Sequence, residues 1–317
     1  MRTVAHRQLR TQDVSVSAVM PCFNGESFVT AAVESILRQS RSPNEVVLFD
    51  NGSTDSTRDI FESFAKEHDH VRVVRLQSPV PAIESTNRAF GEAKCEYVVL
   101  FHHDDISRED RIEKQLELVD EEVAVVGSFM ETIDIHGDPI EVIDYPIEKE
   151  RFLQEMYRRN VVGLPSVLIL KEAFDRVGGM RAAAGYAADY DLWLRLIEIG
   201  FGIRTVPEPL VQYRRHEGQA SAQDDPRLLW CKFEVLLAAA FRDAGETDPL
   251  DVRGVADTSV FVGELEALVP EARELVNHVQ ACLEAGGLVS NDHRVLRDAA
   301  LESLWRSGRL GWHDASR

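Results

Sequence analysis

The chain has 317 residues, 54 acidic against 35 basic side chains, a formal net charge of -19 and 44% hydrophobic residues. That length fits one large globular domain, or one domain with a smaller appendage. The acidic balance excludes a nucleic-acid footprint and a polybasic membrane anchor, while anionic small molecules stay admissible if a divalent ion or helix N-termini offset their charge.

No apolar stretch reaches the length of a membrane span, and residues 1–12 lack the apolar core of a signal peptide. The 4 cysteines, Cys22, Cys95, Cys231 and Cys282, show no Cys-x-x-Cys pairing, so free thiols in a reducing cytoplasm are expected.

In chain order, residues 14–20 read as a strand ended by Pro21, and 27–39 as a helix. Strands follow at 45–49, 71–76 and 97–101, with helices at 54–67 and 82–93 between them. The run at 97–101 is apolar without interruption, as a parallel strand buried on both faces requires. This alternation predicts a doubly wound α/β sheet. After Asp105 the pattern predicts a helix at 108–120, a strand at 123–130 and a hairpin over 131–145 turning at His136-Gly137-Asp138-Pro139. A strand at 167–170, a Gly178-Gly179 turn, a helix at 189–199 and a late edge strand at 211–214 complete this part. From residue 224 the chain reads as all-helical, beginning at the capping pair Asp225-Pro226, with further helices at 270–284 and 293–306.

The most informative stretch is Asp50-Asn51-Gly52-Ser53-Thr54-Asp55, directly after the apolar run 46–49. An acid at the carboxyl end of a buried strand, followed by a glycine turn, stands where open α/β sheets bind ligands. Such a carboxylate accepts hydrogen bonds from a base or ribose but repels phosphate unless a cation intervenes. Ordinary turn chemistry is the plain alternative for the same residues.

Four ordered matches carry a family resemblance: residues 16–26 with Pro21-Cys22-Phe23-Asn24, residues 50–55, residues 97–105 with Asp110-Arg111, and a late set. The late set is Val177-Gly178-Gly179-Met180, residues 188–195 and Tyr213-Arg214-Arg215-His216. Together they resemble the family-2, GT-A-type inverting glycosyltransferases over residues 14–221. The resemblance implies a Rossmann-like mixed sheet flanked by helices in a GT-A domain over residues 1–223, with a helical C-terminal extension over 224–317.

It also implies a nucleotide-diphosphate sugar donor, UDP- or dTDP-linked. Pro21, Cys22, Phe23, Asn24, Asp50 and Asn51 would hold the nucleoside, and Asn87 would lie near the same pocket. Mg²⁺ or Mn²⁺ would meet Asp104, with Asp105 beside it and His216 approaching metal or diphosphate. His103 stands with Asp104 on the donor side, with a structural role as its alternative. Asp189 matches the general base, and Asp191 is its competitor, read as structural. Three departures from the family pattern stand out. His102 replaces the first metal-motif aspartate, Asn51 an aspartate, and Ala188 a glutamate.

The acceptor would be a growing glycan, a lipid-linked sugar or a small molecule. A soluble cytoplasmic protein, meeting the inner face of the membrane transiently, is expected, and homo-oligomerisation through the helical tail is left open. Two other readings are carried. One is a catalytically degenerate nucleotide-sugar or glycan-binding protein, motivated by His102 and Ala188. The other is a metal hydrolase using residues 102–105 with His136 or His216. A dinucleotide dehydrogenase is disfavoured, because no Gly-x-Gly-x-x-Gly follows the first strand.

Overall fold

The computed structural model describes residues 14–216 and, in part, residues 231–252. The boundary expected at 223/224, the Asp225-Pro226 cap and the helices expected at 270–284 and 293–306 lie outside the described residues. The described residues fall into two compact units. The first holds residues 14–147, 162–179 and 199–216, and the second holds 148–161, 180–198 and the described residues from 231 onward.

The first unit contains a mixed sheet. Its strands are β1 (Val16–Cys22), β2 (Glu45–Asp50), β3 (Val71–Arg75), β4 (Tyr97–Leu100), β5 (Ile106–Ser107), β6 (Val123–Ile133), β7 (Pro139–Ile143), β8 (Leu168–Leu170) and β9 (Gly202–Arg214). They run in the order β3-β2-β1-β4-β8-β6-β9-β5, with β7 on β6. Helices α1 (Val29–Leu37), α2 (Thr57–Glu67) and α3 (Ala82–Glu92) are the crossovers among β1 to β4, which pair in parallel. All four residues of β4 are buried, as its sequence predicts for a strand covered on both faces. β8 runs antiparallel to β4 and β6 and so joins the first parallel group to the parallel pair of β6 and β9.

The chain leaves β1 toward β2 and β3, then returns to place β4 on the other side of β1. The carboxyl ends of β1 and β4 therefore flank a topological switch point, where open sheets bind ligands.

Three sequence expectations are corrected. Pro21 does not end β1, because it stays in register opposite Phe49. Carbonyls at even positions of β1 face β2 (Val16 and Cys22 accept Asn44 and Asn51 amides), and those at odd positions face β4 (Val19 accepts Phe101). The missing amide of Pro21 thus points beyond the last β1–β4 pair and breaks no ladder.

The helix expected from 108 is α4, Arg111–Leu116. The residues before it are drawn into the sheet, where Ile106 and Ser107 pair with Gln212 and Val211 and the Arg108 amide donates to the Leu210 carbonyl at 2.9 Å. Residues 211–214 are not an edge strand but the end of β9, which lies between β6 and β5. Pro207 and Pro209 hid its length, and the structure accommodates them at a register shift between Val206 and Pro209.

The second unit contains α5 (Lys149–Met156), a 3-10 turn (Ala182–Ala187) and α6 (Ala188–Glu198), together with the described helical residues from 231 onward. No helix among the described residues is long and apolar enough to cross a membrane.

Candidate active site

The loops after β1 and β2 are laced together, which explains much of the residue choice in both. The Asn24 amide donates to Ser53 Oγ at 3.0 Å, and the Gly25 amide to Thr57 Oγ1 at 2.8 Å. In return, the Thr54 amide donates to Asn24 Oδ1 at 2.9 Å, and Glu26 and Asp55 each accept an amide of the other loop. Asn24 has a φ of 51°, in the left-handed region that asparagine tolerates better than most side chains. Gly25 is required by contact, since a Cβ there would lie 2.6 Å from Cys22 Sγ and from His103 Cδ2. Cys22 is buried, and burial pushes its thiol pKa up, so it packs rather than reacts. Phe23 is exposed beside it, and Pro21 is half-buried.

Asp50 closes β2 with its side chain fully buried. Its Oδ1 accepts the Ser53 amide at 2.8 Å. Its Oδ2 has the Arg75 guanidinium 3.4 Å away but no hydrogen bond. A buried carboxylate oxygen in that state is a ready acceptor for a ligand donor. Asn51 is differently employed. Its side-chain amide donates to the Val80 carbonyl at 2.9 Å, and its carbonyl accepts the Val80 amide at 3.0 Å. Asn87, half-buried on α3, faces the Gly178-Gly179 turn. A Cβ on Gly179 would lie 2.9 Å from Asn87 Oδ1.

Beyond Leu100 the chain leaves the pleat, and His102, Asp104 and Asp105 bring ligand atoms within 4.8 Å of one another. Asp105 is held by the Arg214 amide, which donates to Oδ1 at 2.9 Å, while Oδ2 is buried without a hydrogen bond. Arg214 also donates from Nε to the Asp104 carbonyl at 3.0 Å and stacks its guanidinium 4.9 Å from the Phe28 ring centre. His216 Nε2 lies 3.0 Å from Asp104 Oδ2. Beneath the loop, fully buried Arg111 donates to Ser107 Oγ at 2.9 Å and to the Leu100 and Val167 carbonyls at 3.0 and 3.3 Å.

The electrostatics of the cluster follow from burial and crowding. Burial and then the charge of Asp104 push Asp105 well above the usual carboxylate range. Burial opposes charge on Asp104 too, but His102, His103 and the His216 hydrogen bond outweigh it and hold Asp104 low. Burial lowers His102 to about 4 and lowers His103 as well. Two crowded carboxylates, one with an orphaned oxygen, and an imidazole form a donor set that could hold a divalent ion. Asp104 and Asp105 belong to this cluster, His216 touches it through Asp104, and His103 packs against Gly25 instead. Sequence reasoning grouped His102 with Asp104 and Asp105 only under the hydrolase reading, because strand alternation forbids their convergence while the strand persists.

In the second unit, Asp189 lies in the first turn of α6. Its Oδ2 accepts Asn160 Nδ2 at 2.9 Å, and its Oδ1 accepts the Tyr190 amide at 2.7 Å. Burial raises its pKa to about 6 despite these bonds and the charge of Lys232. Asp191 is wholly buried and engaged by arginines. Arg181 Nε donates to it at 2.9 Å and Arg195 Nε at 2.8 Å, and Arg242 lies 3.8 Å away. The turn before Asp189 is shaped by Gly185, whose φ of 54° and close approach to Cys231 both exclude a side chain.

A parallel β/α half with Asp50 closing β2 and an aspartate–histidine cluster beyond β4 at its switch point has the form of a nucleotide-sugar transferase of the GT-A fold. Residues 17–178 match the sequence profile described as "Glycosyl transferase family 2", and the chain belongs to that family. The glycosyltransferase GlyG of Streptococcus pneumoniae is 29% identical over 220 residues, covering 64% of this chain and 71% of that protein. Among solved structures, residues 1–349 of S. aureus TarS in complex with UDP-GlcNAc superpose with a TM-score of 0.58 at 17% identity, over 93% of this chain and 92% of that one. Mannosyltransferase PcManGT from Pyrobaculum calidifontis, in complex with GDP-Man and Mn²⁺, gives a TM-score of 0.53 at 16% identity, over 98% and 91% of the two chains. At these identities the structural likenesses establish the fold.

Proposed function

We propose that this glycosyltransferase is metal-dependent and inverting, and that it moves a sugar from a UDP- or dTDP-sugar to an acceptor hydroxyl. The observation that carries the reading is the cluster of His102, Asp104 and Asp105 at the end of β4. The PcManGT complex with Mn²⁺ and the TarS complex with UDP-GlcNAc support the metal and donor parts by analogy.

Pro21 to Asn24, with Asp50, form the nucleoside side. Oδ2 of Asp50, with Arg75 beside it but no hydrogen bond, can accept one, and the imide N3–H of uracil or thymine supplies a donor where cytosine N3 is an acceptor and only its N4 amine donates. The exposed Phe23 ring offers an apolar face for a base, and Asn87 borders the same region. Asn51 acts indirectly, by holding the Val80 segment. Asp104 and Asp105 hold the cation, His216 supports Asp104, and His103 shapes the loop against Gly25. A divalent ion bound there would offset the charge that gathers on the departing diphosphate.

In inverting transfer the acceptor oxygen attacks the anomeric carbon from the face opposite the diphosphate. The new C–O bond forms as the bond to diphosphate breaks, and the acceptor proton passes to the Asp189 carboxylate. A pKa raised to about 6 makes Asp189 a stronger base than an ordinary aspartate while leaving it mostly ionised at neutral pH. The acceptor is a hydroxyl of a glycan, a lipid-linked sugar or a small molecule.

The test is transfer from UDP- and dTDP-sugars to hydroxyl acceptors with Mn²⁺ or Mg²⁺, with the product's anomeric configuration read by NMR. Inverted product supports the proposal, and retained configuration rejects the inverting mechanism. Nucleotide binding without transfer or donor hydrolysis across the panel would return weight to a binding-only protein.

A further inference from the structure

We propose that His102 is the third protein ligand of the cation site, a nitrogen donor that turns the site toward Mn²⁺ and away from Mg²⁺. The inference rests on the metal-dependent reading above and deepens it by assigning the ion.

β4 ends at Leu100, so residues 101–105 are free of the pleat that would send neighbouring side chains to opposite faces. His102 uses that freedom to place Nδ1 3.8 Å from Asp105 Oδ2. The separation is too long for a hydrogen bond, and Asp105 Oδ2 has no other partner although its side chain is only 4% exposed. Two polar atoms face one another across a gap that neither fills, with Asp104 contributing the third atom within 4.8 Å. An ion with bonds of about 2.1 Å leaves opposed ligand atoms about 4.2 Å apart, so small side-chain adjustments close the site around it.

Ligand chemistry then decides which ion. Mg²⁺ demands oxygen donors and near-ideal octahedral geometry, and an imidazole is a poor exchange for a carboxylate. Imidazole nitrogen suits first-row transition ions, and Mn²⁺, the most oxygen-preferring of them, still accepts a nitrogen donor beside carboxylates more readily than Mg²⁺ does. Replacing an acid by His102 also removes one negative charge, which weakens an ion held mainly by charge more than one held by a nitrogen lone pair. His102 is therefore a determinant of metal choice rather than a sign of a decayed motif.

The test uses the full chain with UDP. Mn²⁺ is bound and examined by electron spin echo envelope modulation for nitrogen coupling, and Mg²⁺ competition is followed by the Mn²⁺ resonance. The expected result is nitrogen coupling in the wild type and in His216→Gln, lost in both His102→Asp and His102→Gln. The preference for Mn²⁺ over Mg²⁺ should fall about tenfold or more in His102→Asp. Melting curves identify a variant that fails to fold, and the wild-type and His216→Gln spectra then still decide. Mn²⁺ binding without nitrogen coupling, or coupling that survives in His102→Asp, overturns the role of His102 and leaves metal dependence standing. No Mn²⁺ binding by the wild type with UDP overturns both.

Discussion

His216 Nε2 meets Asp104 Oδ2 at 3.0 Å, joining the segment after β9 to the loop after β4. The His216 ring is itself backed by Phe28, whose centroid is 5.6 Å away, so the imidazole is positioned rather than loose. A partner that orients a metal-binding carboxylate is commonly worth about 10–100-fold in metal affinity. His216→Ala should weaken metal-dependent UDP binding by about tenfold, and Asp104→Asn should abolish it, both measured by calorimetry with Mn²⁺ present.

Asp189 predicts a pH dependence with a definite sign. Its folded pKa is raised to about 6 from an ordinary 3.8, so the protonated form predominates below pH 6 and cannot accept the acceptor proton. Activity should rise with pH through about 6 and level off above it. Stability should move the other way, being greatest while Asp189 is protonated and falling as pH rises through 6. Because Asp189 keeps some contact with solvent, the ionised side chain weakens the fold by on the order of 1–2 kcal/mol. Asp189→Asn should therefore lose transfer, keep nucleotide binding and abolish the fall in stability between pH 5 and pH 8, read by urea denaturation at both pH values.

Asn51→Asp restores the acid that the family pattern carries, and the prediction is harm. The Asn51 amide donates to the Val80 carbonyl, and a carboxylate would set two oxygens against each other. A loss of about 1–3 kcal/mol is expected in denaturant titration, with faster hydrogen exchange at the Val80 amide.

Two buried polar networks should prove structural. Arg111 satisfies the Leu100 and Val167 carbonyls beneath the loop that carries the cluster. Asp191 neutralises Arg181 and Arg195 in the second unit. Arg111→Met and Asp191→Ala should each cost about 3–5 kcal/mol, because each leaves buried polar or charged partners unmatched. Comparable urea midpoints for either variant and the wild type would refute these roles.

Within the parallel half of the sheet, β2 was legible because the apolar run Val46 to Phe49 meets an acid at Asp50, and β4 because Tyr97–Leu100 is apolar throughout. β9 was not, since Pro207 and Pro209 interrupt its pattern and only the register shift against β6 accommodates them. The hydrogen bonds of Asn51 to Val80 were hidden because that partner is remote in sequence and offers only backbone. Convergence of His102 with Asp104 and Asp105 depends on where β4 stops, a boundary that apolar residues alone place too late, at Phe101 rather than Leu100. The hold of Arg214 on Asp105 spans 109 positions and has no local signal at all.

The most direct test of the central claim is calorimetric titration of UDP, dTDP, GDP and CDP into the protein with Mn²⁺ and again with EDTA. The account predicts tight binding of UDP or dTDP with Mn²⁺, lost with EDTA and in Asp104→Asn, and weaker binding of CDP throughout. Equal binding with and without the metal, or binding of none of the four nucleotides, would contradict it.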